Sequence, residues 1–156
     1  MVMQKLLCIA PHLSTGGLPQ YLCKKIELLK NDFEIYLVEW VDHTGGVLVV
    51  TKNKILQHVA PERFYTLDED KQQLIEIINN IQPDIIHLEE IPEFFMNDSI
   101  AEQIYTQDRT YKIVETSHDS SFDTNNKKFR NSACMIQTML QQKQTCIKAF
   151  WQLINT

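Results

Sequence analysis

Short apolar runs alternate with amphipathic segments over most of the chain. The first run covers residues 6–10 and ends at Pro11, which is typical of a buried strand. A polar turn with a glycine pair follows, and then Leu22, Ile26 and Leu29 recur at the spacing of one helical face. Further strands are predicted in the later apolar runs, at residues 33–40, 47–50, 63–65, 84–88 and 111–115.

Helical patterns separate these runs, at residues 52–59 and within 91–105. We expect the most regular helix to begin at Asp68, because its carboxylate can cap free N–H groups at the positive end of the helix dipole. Its apolar stripe consists of Leu74, Ile77, Ile78 and Ile81, and Pro83 ends it. Strands that alternate with helices predict an α/β fold, with a Rossmann-like parallel sheet that carries helices on both faces.

A second glycine pair, Gly45 and Gly46, lies between the runs at 33–40 and 47–50. No clear helix start follows it directly, as a phosphate-binding loop would require. We therefore interpret this pair as a hairpin turn between two strands.

The last part of the chain has a different pattern. Apolar residues such as Ile136, Met139 and Ile147 recur at roughly helical spacing, in a Gln-rich segment without glycine or proline. We predict one domain over residues 1–130 and a divergent helical tail over 131–156. Its apolar face could cover the sheet or associate with a second copy of the chain.

The first glycine pair, Gly16 and Gly17, stands between the first predicted strand and the first predicted helix. In α/β folds ligands bind at the carboxyl ends of the strands, which is where this turn lies. Glycine lets a ligand approach the backbone closely, and the first N–H groups of the helix point towards an anion. Spacing alone leaves two interpretations open, a phosphate-binding loop and an ordinary flexible helix start.

The length and the net charge of the chain argue against some classes of protein and of partner. The 156 residues suffice for one domain with its own core, and the net charge of -5 argues against nucleic acid or an anionic membrane as partner. No apolar stretch is long enough for a transmembrane helix, and no signal sequence is recognisable at the N-terminus. We predict a cytoplasmic protein.

We recognise no motif for binding a metal ion or a cofactor in the sequence. The four cysteines form no C-x-x-C pair, and the five histidines show no ligand spacing, so we predict no metal site. Residues 14–19 do not form the G-x-G-x-x-G of a dinucleotide site, and we predict no cofactor. A receiver module would need acidic residues after the first strand, where Pro11 and His12 stand instead.

Three segments in succession resemble the retaining, family-4-like glycosyltransferases with a GT-B fold. Residues 5–22 resemble the family's strand, Gly-Gly loop and helix, residues 83–90 its P-D-(I/V)-(I/V)-H strand end, and residues 112–119 its strand with a Thr-x-His-Asp turn. The resemblance covers about residues 4–130 and implies one half of a GT-B fold, the acceptor-side domain. The donor-side domain of that family, which holds the nucleotide-sugar, has no counterpart among these residues.

The resemblance also implies site residues. Gly16 and Gly17 would bind the diphosphate of the donor through backbone N–H groups. His118 would be the catalytic histidine, which orients the acceptor hydroxyl and can share a proton near neutral pH. The alternative is a histidine that only caps the strand end. Asp119 would orient that ring or bind an acceptor hydroxyl, and a role in shaping the turn is the alternative.

Other polar residues at strand ends are candidates for binding the acceptor. Carboxylates suit sugar hydroxyls, and alternate residues of an extended stretch share a face, so we expect His87 and Glu89 on one side and a solvated Glu90 on the other. His12 follows the first strand beside the glycine pair and could also contact the acceptor. His12 could instead be a polar group satisfied within the fold.

The sequence thus predicts transfer of a sugar from a nucleotide-sugar to a hydroxyl of a sugar or lipid-sugar acceptor. Without the donor-side domain we expect no transfer by this chain alone. A stand-alone α/β binding or regulatory domain without catalysis is the alternative, because a fold does not specify a function. A third possibility is a fragment that pairs with a separately encoded donor domain.

Overall fold

A computed structural model describes residues 2–43, 48–67 and 69–118, and the backbone of 134–137. These residues form six strands and four α-helices. In chain order they are β1 (Gln4–Ala10), α1 (Gly17–Leu29), β2 (Phe33–Glu39), α2 (Val50–Leu56), β3 (Phe64–Thr66), α3 (Gln73–Ile81), β4 (Ile85–Leu88), α4 (Asp98–Ile104), β5 (Lys112–Ser117) and β6 (Cys134–Gln137). Short 3-10 helices, Pro61–Arg63 and Pro92–Phe94, precede β3 and α4.

The strands form one sheet in the order β3-β2-β1-β4-β5-β6, and every described pair is parallel. This order is that of a doubly wound Rossmann-like sheet, which confirms the predicted fold class. The strand order reverses direction at β1, which has β2 on one side and β4 on the other. Cys8 is opposite Leu37 of β2 and His87 of β4.

Helices cover both faces of the sheet, as predicted. Alternate residues of β1 point to opposite faces, so Leu6 and Cys8 pack under α1 and α2, whereas Leu7 and Ile9 pack under α3 and α4. The predicted stripe of α1, formed by Leu22, Ile26 and Leu29, is buried on the first face. Leu74, Ile78 and Ile81 of α3 are buried on the second face, while Ile77 is partly buried there.

The predicted hairpin around the second glycine pair is wrong where the structure can test it. Residues 44–47 lie outside the described part, but no strand follows, because Val50 already begins α2. Strand β2 explains the difference. It pairs with β1 along one edge and with β3 along the other, so no edge remains for an antiparallel partner.

The predicted helix start at Asp68 is also wrong. Asp68 itself lies outside the described residues, and α3 begins only at Gln73. The preceding segment has other hydrogen bonds. The carboxylate of Asp70 accepts from the N–H of Gln72 at 3.0 Å, and the ammonium group of Lys71 donates to the carbonyl of Leu67 at 2.7 Å. These contacts favour a turn over a first helical turn.

Part of the predicted helical tail is a strand. Cys134–Gln137 forms β6 and pairs with β5, with Val114 opposite Cys134 and Ser117 opposite Gln137. The open edge of β5 offers backbone hydrogen bonds that override the helical spacing of the side chains. The sheet therefore includes residues beyond 130. The domain boundary at 130 and the rest of the tail, which lies outside the described residues, stay predictions.

The part of the chain that the structure describes contains no candidate for a membrane-spanning helix. None of the helices there combines the length and the apolar character needed to cross a bilayer.

The backbone conformation of Gln82, which follows the end of α3, can be tested by substitution. It adopts a left-handed conformation with φ 52°, which costs a residue with a Cβ atom about 1–2 kcal/mol. We expect Gln82→Gly to raise the free energy of unfolding by about 0.5–1 kcal/mol, because glycine avoids this cost and gives back only part of the gain through the larger chain entropy that it loses on folding. Urea denaturation would measure the change.

Gln57 is the matched control, because it follows the end of α2 with an ordinary φ of -70°. There the same substitution should lower the free energy of unfolding. Destabilisation by both substitutions would contradict the left-handed backbone at Gln82.

Candidate functional site

The candidate site lies at the carboxyl edge of the sheet, where β1 and β4 are neighbours. The connections leaving these two strands run in opposite directions, one to α1 and the other to α4 on the opposite face. Such a reversal opens a crevice in doubly wound folds, and ligands bind there. The loop after β1 carries His12, Ser14 and the glycine pair, and His87, Glu89 and His118 lie at or just beyond the ends of β4 and β5.

Gly16 has a backbone that favours glycine. Its φ of 114° and ψ of -174° lie in a region that residues with a Cβ atom rarely adopt, and it precedes the first residue of α1. Both Gly16 and Gly17 are exposed. A Cβ atom added to either would meet no other heavy atom within 4 Å, so there is open space in front of α1.

The start of α1 is suited to an anion. No side chain caps it, and its first turn contains no acidic residue. Pro19 lacks an N–H group, which leaves those of the glycine pair and Leu18 as the backbone donors of this turn. The positive end of the helix dipole adds to the same attraction.

Glu39 holds the loop between β1 and α1. Its Oε1 accepts from the N–H of Leu13 at 2.9 Å, and its Oε2 accepts from Lys52 Nζ at 2.6 Å and Thr66 Oγ1 at 3.3 Å. In dinucleotide-binding folds an acidic residue at this strand end contacts a ribose. Glu39 is fully buried and binds the loop instead.

His12 lies at the surface of this loop and is half-buried. Its Nδ1 is 3.0 Å from Ser14 Oγ, and its ring stands 5.6 Å from that of His43. Partial burial and the neighbouring His43 lower the pKa of His12 below its ordinary value. The imidazole is therefore mainly neutral at pH 7, with one ring nitrogen that donates a hydrogen bond and one that accepts.

Beneath the surface, four side chains form what we call the buried polar cluster: Lys25, His87, Glu89 and Thr116. Lys25 of α1 makes an ion pair with Glu89, and its Nζ is 2.8 Å from His87 Nδ1. His87 Nε2 is in turn 2.7 Å from Thr116 Oγ1. The predicted shared face of His87 and Glu89 is confirmed, since both contact the same ammonium group.

The pKa values in this cluster are shifted by burial and by the ion pair. Burial, then the Lys25 ammonium and then His118 hold the pKa of His87 well below its ordinary value. Burial acts to lower the pKa of Lys25, but neighbours that include Glu89 raise it overall. Burial raises the pKa of the Glu89 carboxyl, against the attraction of Lys25, and it also raises the pKa of the Cys8 thiol.

Glu90 is half-buried, and the expectation that it is solvated is wrong. Its Oε1 accepts from the N–H of Ile91 at 2.9 Å, and its Oε2 accepts from the N–H of His118 at 3.3 Å. The ring of His118 packs edge-on against Tyr21, with 5.2 Å between ring centroids. Lys25 Nζ lies 6.0 Å from the same tyrosine ring. Tyr21 therefore connects His118 with the buried polar cluster.

The structure thus brings His118, His87 and Glu89 into one neighbourhood, whereas His12 lies in the loop that carries the glycine pair. His87 and Glu89 are fully buried. Asp119 lies outside the described residues. The roles assigned to all these residues stay predictions. Among the described residues, no group of three or more His, Cys, Asp or Glu side chains is arranged to hold a metal ion.

The sequence analysis missed several contributors, among them Lys25 and Glu39. A signal for Lys25 was present, because it falls inside the apolar stripe of α1, between Leu22 and Ile26. A lysine at such a position points into the core and needs a buried partner. Similarly, Glu39 continues the buried alternation of β2.

Comparisons with known proteins give no family. The chain matches no protein-family model and no curated protein sequence.

The glycine pair allows a test of the loop geometry. Gly16→Ala should lower the free energy of unfolding by about 1–3 kcal/mol, because alanine is strained at a φ of 114°. Gly17→Ala should leave it unchanged or raise it by up to about 1 kcal/mol, because the helical site is open and alanine favours a helix. Urea denaturation of both variants would measure the difference. Equal effects would contradict the backbone described here.

His87 should make stability depend on pH. Because its pKa in the folded protein is well below 6.5, the unfolded chain binds a proton below that pH that the folded protein does not bind. We expect the free energy of unfolding to fall by up to about 1.4 kcal/mol per pH unit below pH 6.5 from this residue alone. Chemical denaturation between pH 7.5 and 5.5 would show a shallower slope in His87→Asn.

The slope of the free energy of unfolding against pH is compared, and not its value at one pH, because His87→Asn also removes the contact with Thr116. His12 lies in the loop after β1 and remains in both proteins, so its own titration cancels in the comparison. Equal slopes would show that His87 titrates alike in the folded and unfolded chain.

Proposed function

We propose that this chain is the acceptor-side domain of a GT-B glycosyltransferase that transfers a sugar with retention of configuration. The observation that carries the proposal is the open, uncapped start of α1 at the crevice between β1 and β4. The three segments that resemble the family supply the loops and strand ends around this crevice. The Rossmann-like order of the sheet agrees with either half of such an enzyme.

The glycine pair would bind the diphosphate of a nucleotide-sugar. In sugar transfer the diphosphate leaves with growing negative charge, and backbone N–H groups that already point at it stabilise that charge without rearranging. Gly16 and Gly17 leave room for the diphosphate to approach these groups. Glu39 supports this role from behind, because its bond to Leu13 keeps the loop in place.

His118 would orient the acceptor hydroxyl. Its backbone is tied to Glu90 and its ring to Tyr21, so the imidazole has a defined position at the end of β5. A histidine held in this way can hydrogen-bond a hydroxyl and share its proton. His12, on the side of the glycine pair, and Asp119 are proposed as further contacts with a sugar or lipid-sugar acceptor.

His87 and Glu89 fit a supporting role better than direct contact. Both are buried beneath the edge and are bound to Lys25. The carboxyl edge of the sheet would face a donor-side domain, which the resemblance implies as the main site for the nucleotide and its sugar.

Titration with UDP, GDP and their sugar conjugates, followed by amide chemical shifts, tests the proposal. We expect weak binding, with a Kd of about 1 mM, and shifts centred on Gly16, Gly17 and Leu18. Gly17→Trp should abolish these shifts, because its side chain would fill the open space in front of α1.

Leu28→Trp is the matched control. It places the same large side chain on an exposed position near the other end of α1 and should bind like the unaltered chain. Shifts that persist in Gly17→Trp, or no shift in the unaltered chain, would contradict a diphosphate site at this loop.

A further inference from the structure

Lys25 is a charged residue in a core position. Its side chain is 1% exposed, on the same face of α1 as Leu22 and Ile26. A buried ion pair is seldom more stable than well-packed apolar residues of similar size, because removing both charges from water is costly. Stability alone therefore does not account for Lys25, and its contacts point to a function in the site above it.

The contacts of Lys25 determine where His87 carries its proton. An ammonium group can only donate, so His87 Nδ1 must be the acceptor of the 2.8 Å contact. A neutral imidazole then has its proton on Nε2, which donates to Thr116 Oγ1 at 2.7 Å. The chain of hydrogen bonds has one direction, from α1 through β4 to β5. The proton of the threonine hydroxyl must consequently point away from His87.

The same contacts oppose a positive charge on His87. Among the described residues, the titratable groups around His87 are Lys25 and Tyr21 of α1, Cys8 of β1, Glu89 at the end of β4, and His118 after β5. Glu89 alone would favour a protonated His87, since its Oε1 is 3.7 Å from Nδ1. Lys25 occupies that carboxylate and adds a positive charge, which opposes protonation of His87.

We propose that Lys25 is the positioning residue of the candidate site, where it holds His87 as the neutral Nε2–H tautomer and leaves His118 as the histidine that exchanges a proton. Thr116 and His118 alternate along the same face at the end of β5, so this arrangement also orients the hydroxyl beside His118. The role of His118 in this inference rests on the proposed function, whereas the protonation state of His87 does not depend on it.

Nitrogen-15 NMR of histidine side chains tests the state of His87, with its signals identified through His87→Asn. In the unaltered chain we expect a protonated Nε2 and an unprotonated Nδ1 from pH 8 down to about 5.5. In Lys25→Met we expect the proton on Nδ1, or a charged ring, because Glu89 is then the nearest partner. The double variant Lys25→Met/Glu89→Gln, which buries no unpaired charge, should also move the proton to Nδ1.

Lys24→Met is the matched control, because Lys24 precedes Lys25 but is exposed and paired with Glu27 on the surface. It should leave the signals of His87 unchanged. A proton on Nδ1 of His87 in the unaltered chain would overturn the inference. An unchanged tautomer in both variants of Lys25 would overturn it as well.

The UDP titration separates this inference from the proposed function. If the unaltered chain binds UDP, the double variant should bind about tenfold more weakly than Lys24→Met, and equal affinities would overturn the positioning role. If the unaltered chain does not bind UDP, the proposed diphosphate site fails, and the tautomer of His87 still decides whether Lys25 acts on it as described.

Discussion

Strand β1 runs parallel to both of its neighbours, and most of the structure follows from this constraint. Parallel strands need a crossover connection, and each crossover places a helix on one face of the sheet. Residues 6–10 are consequently buried on both faces. The chain crosses one way from β1 to β2 and the other way from β4 to β5, so a crevice opens at the carboxyl ends of β1 and β4.

At this edge, one buried carboxylate stands on each side of β1, and a lysine from a helix neutralises each of the two. Glu39 at the end of β2 pairs with Lys52 of α2, and Glu89 after β4 pairs with Lys25 of α1. The two helices that supply these lysines pack on the same face of the sheet. The Glu39 pair secures the loop that leads to the open start of α1, whereas the Glu89 pair contacts His87, which in turn contacts Thr116 of β5. Such pairs define one arrangement of the loops more than they add stability.

The elements that the sequence predicted correctly are those with a local signal. The apolar run at 6–10 and the stripe of Leu22, Ile26 and Leu29 needed only the period of a strand or a helix. The same holds for the shared face of His87 and Glu89. The predicted helix start at Asp68 failed because Lys71 and Asp70 make other hydrogen bonds, one of them from Lys71 to the carbonyl of Trp40 in a distant segment. The predicted strand at 47–50 failed because β3 already pairs with the end of β2.

The sequence by itself determined the α/β class, the glycine pair at a strand end and the alternation of buried residues, because each depends on backbone geometry over a few positions. Only the tertiary structure decided which strands are neighbours and which charges meet. Lys25 and Glu89 are 64 residues apart in the chain, and β6 joins the sheet from within a segment with helical spacing. Such contacts depend on which edges and faces remain open after the rest of the chain has packed, and no local pattern records that.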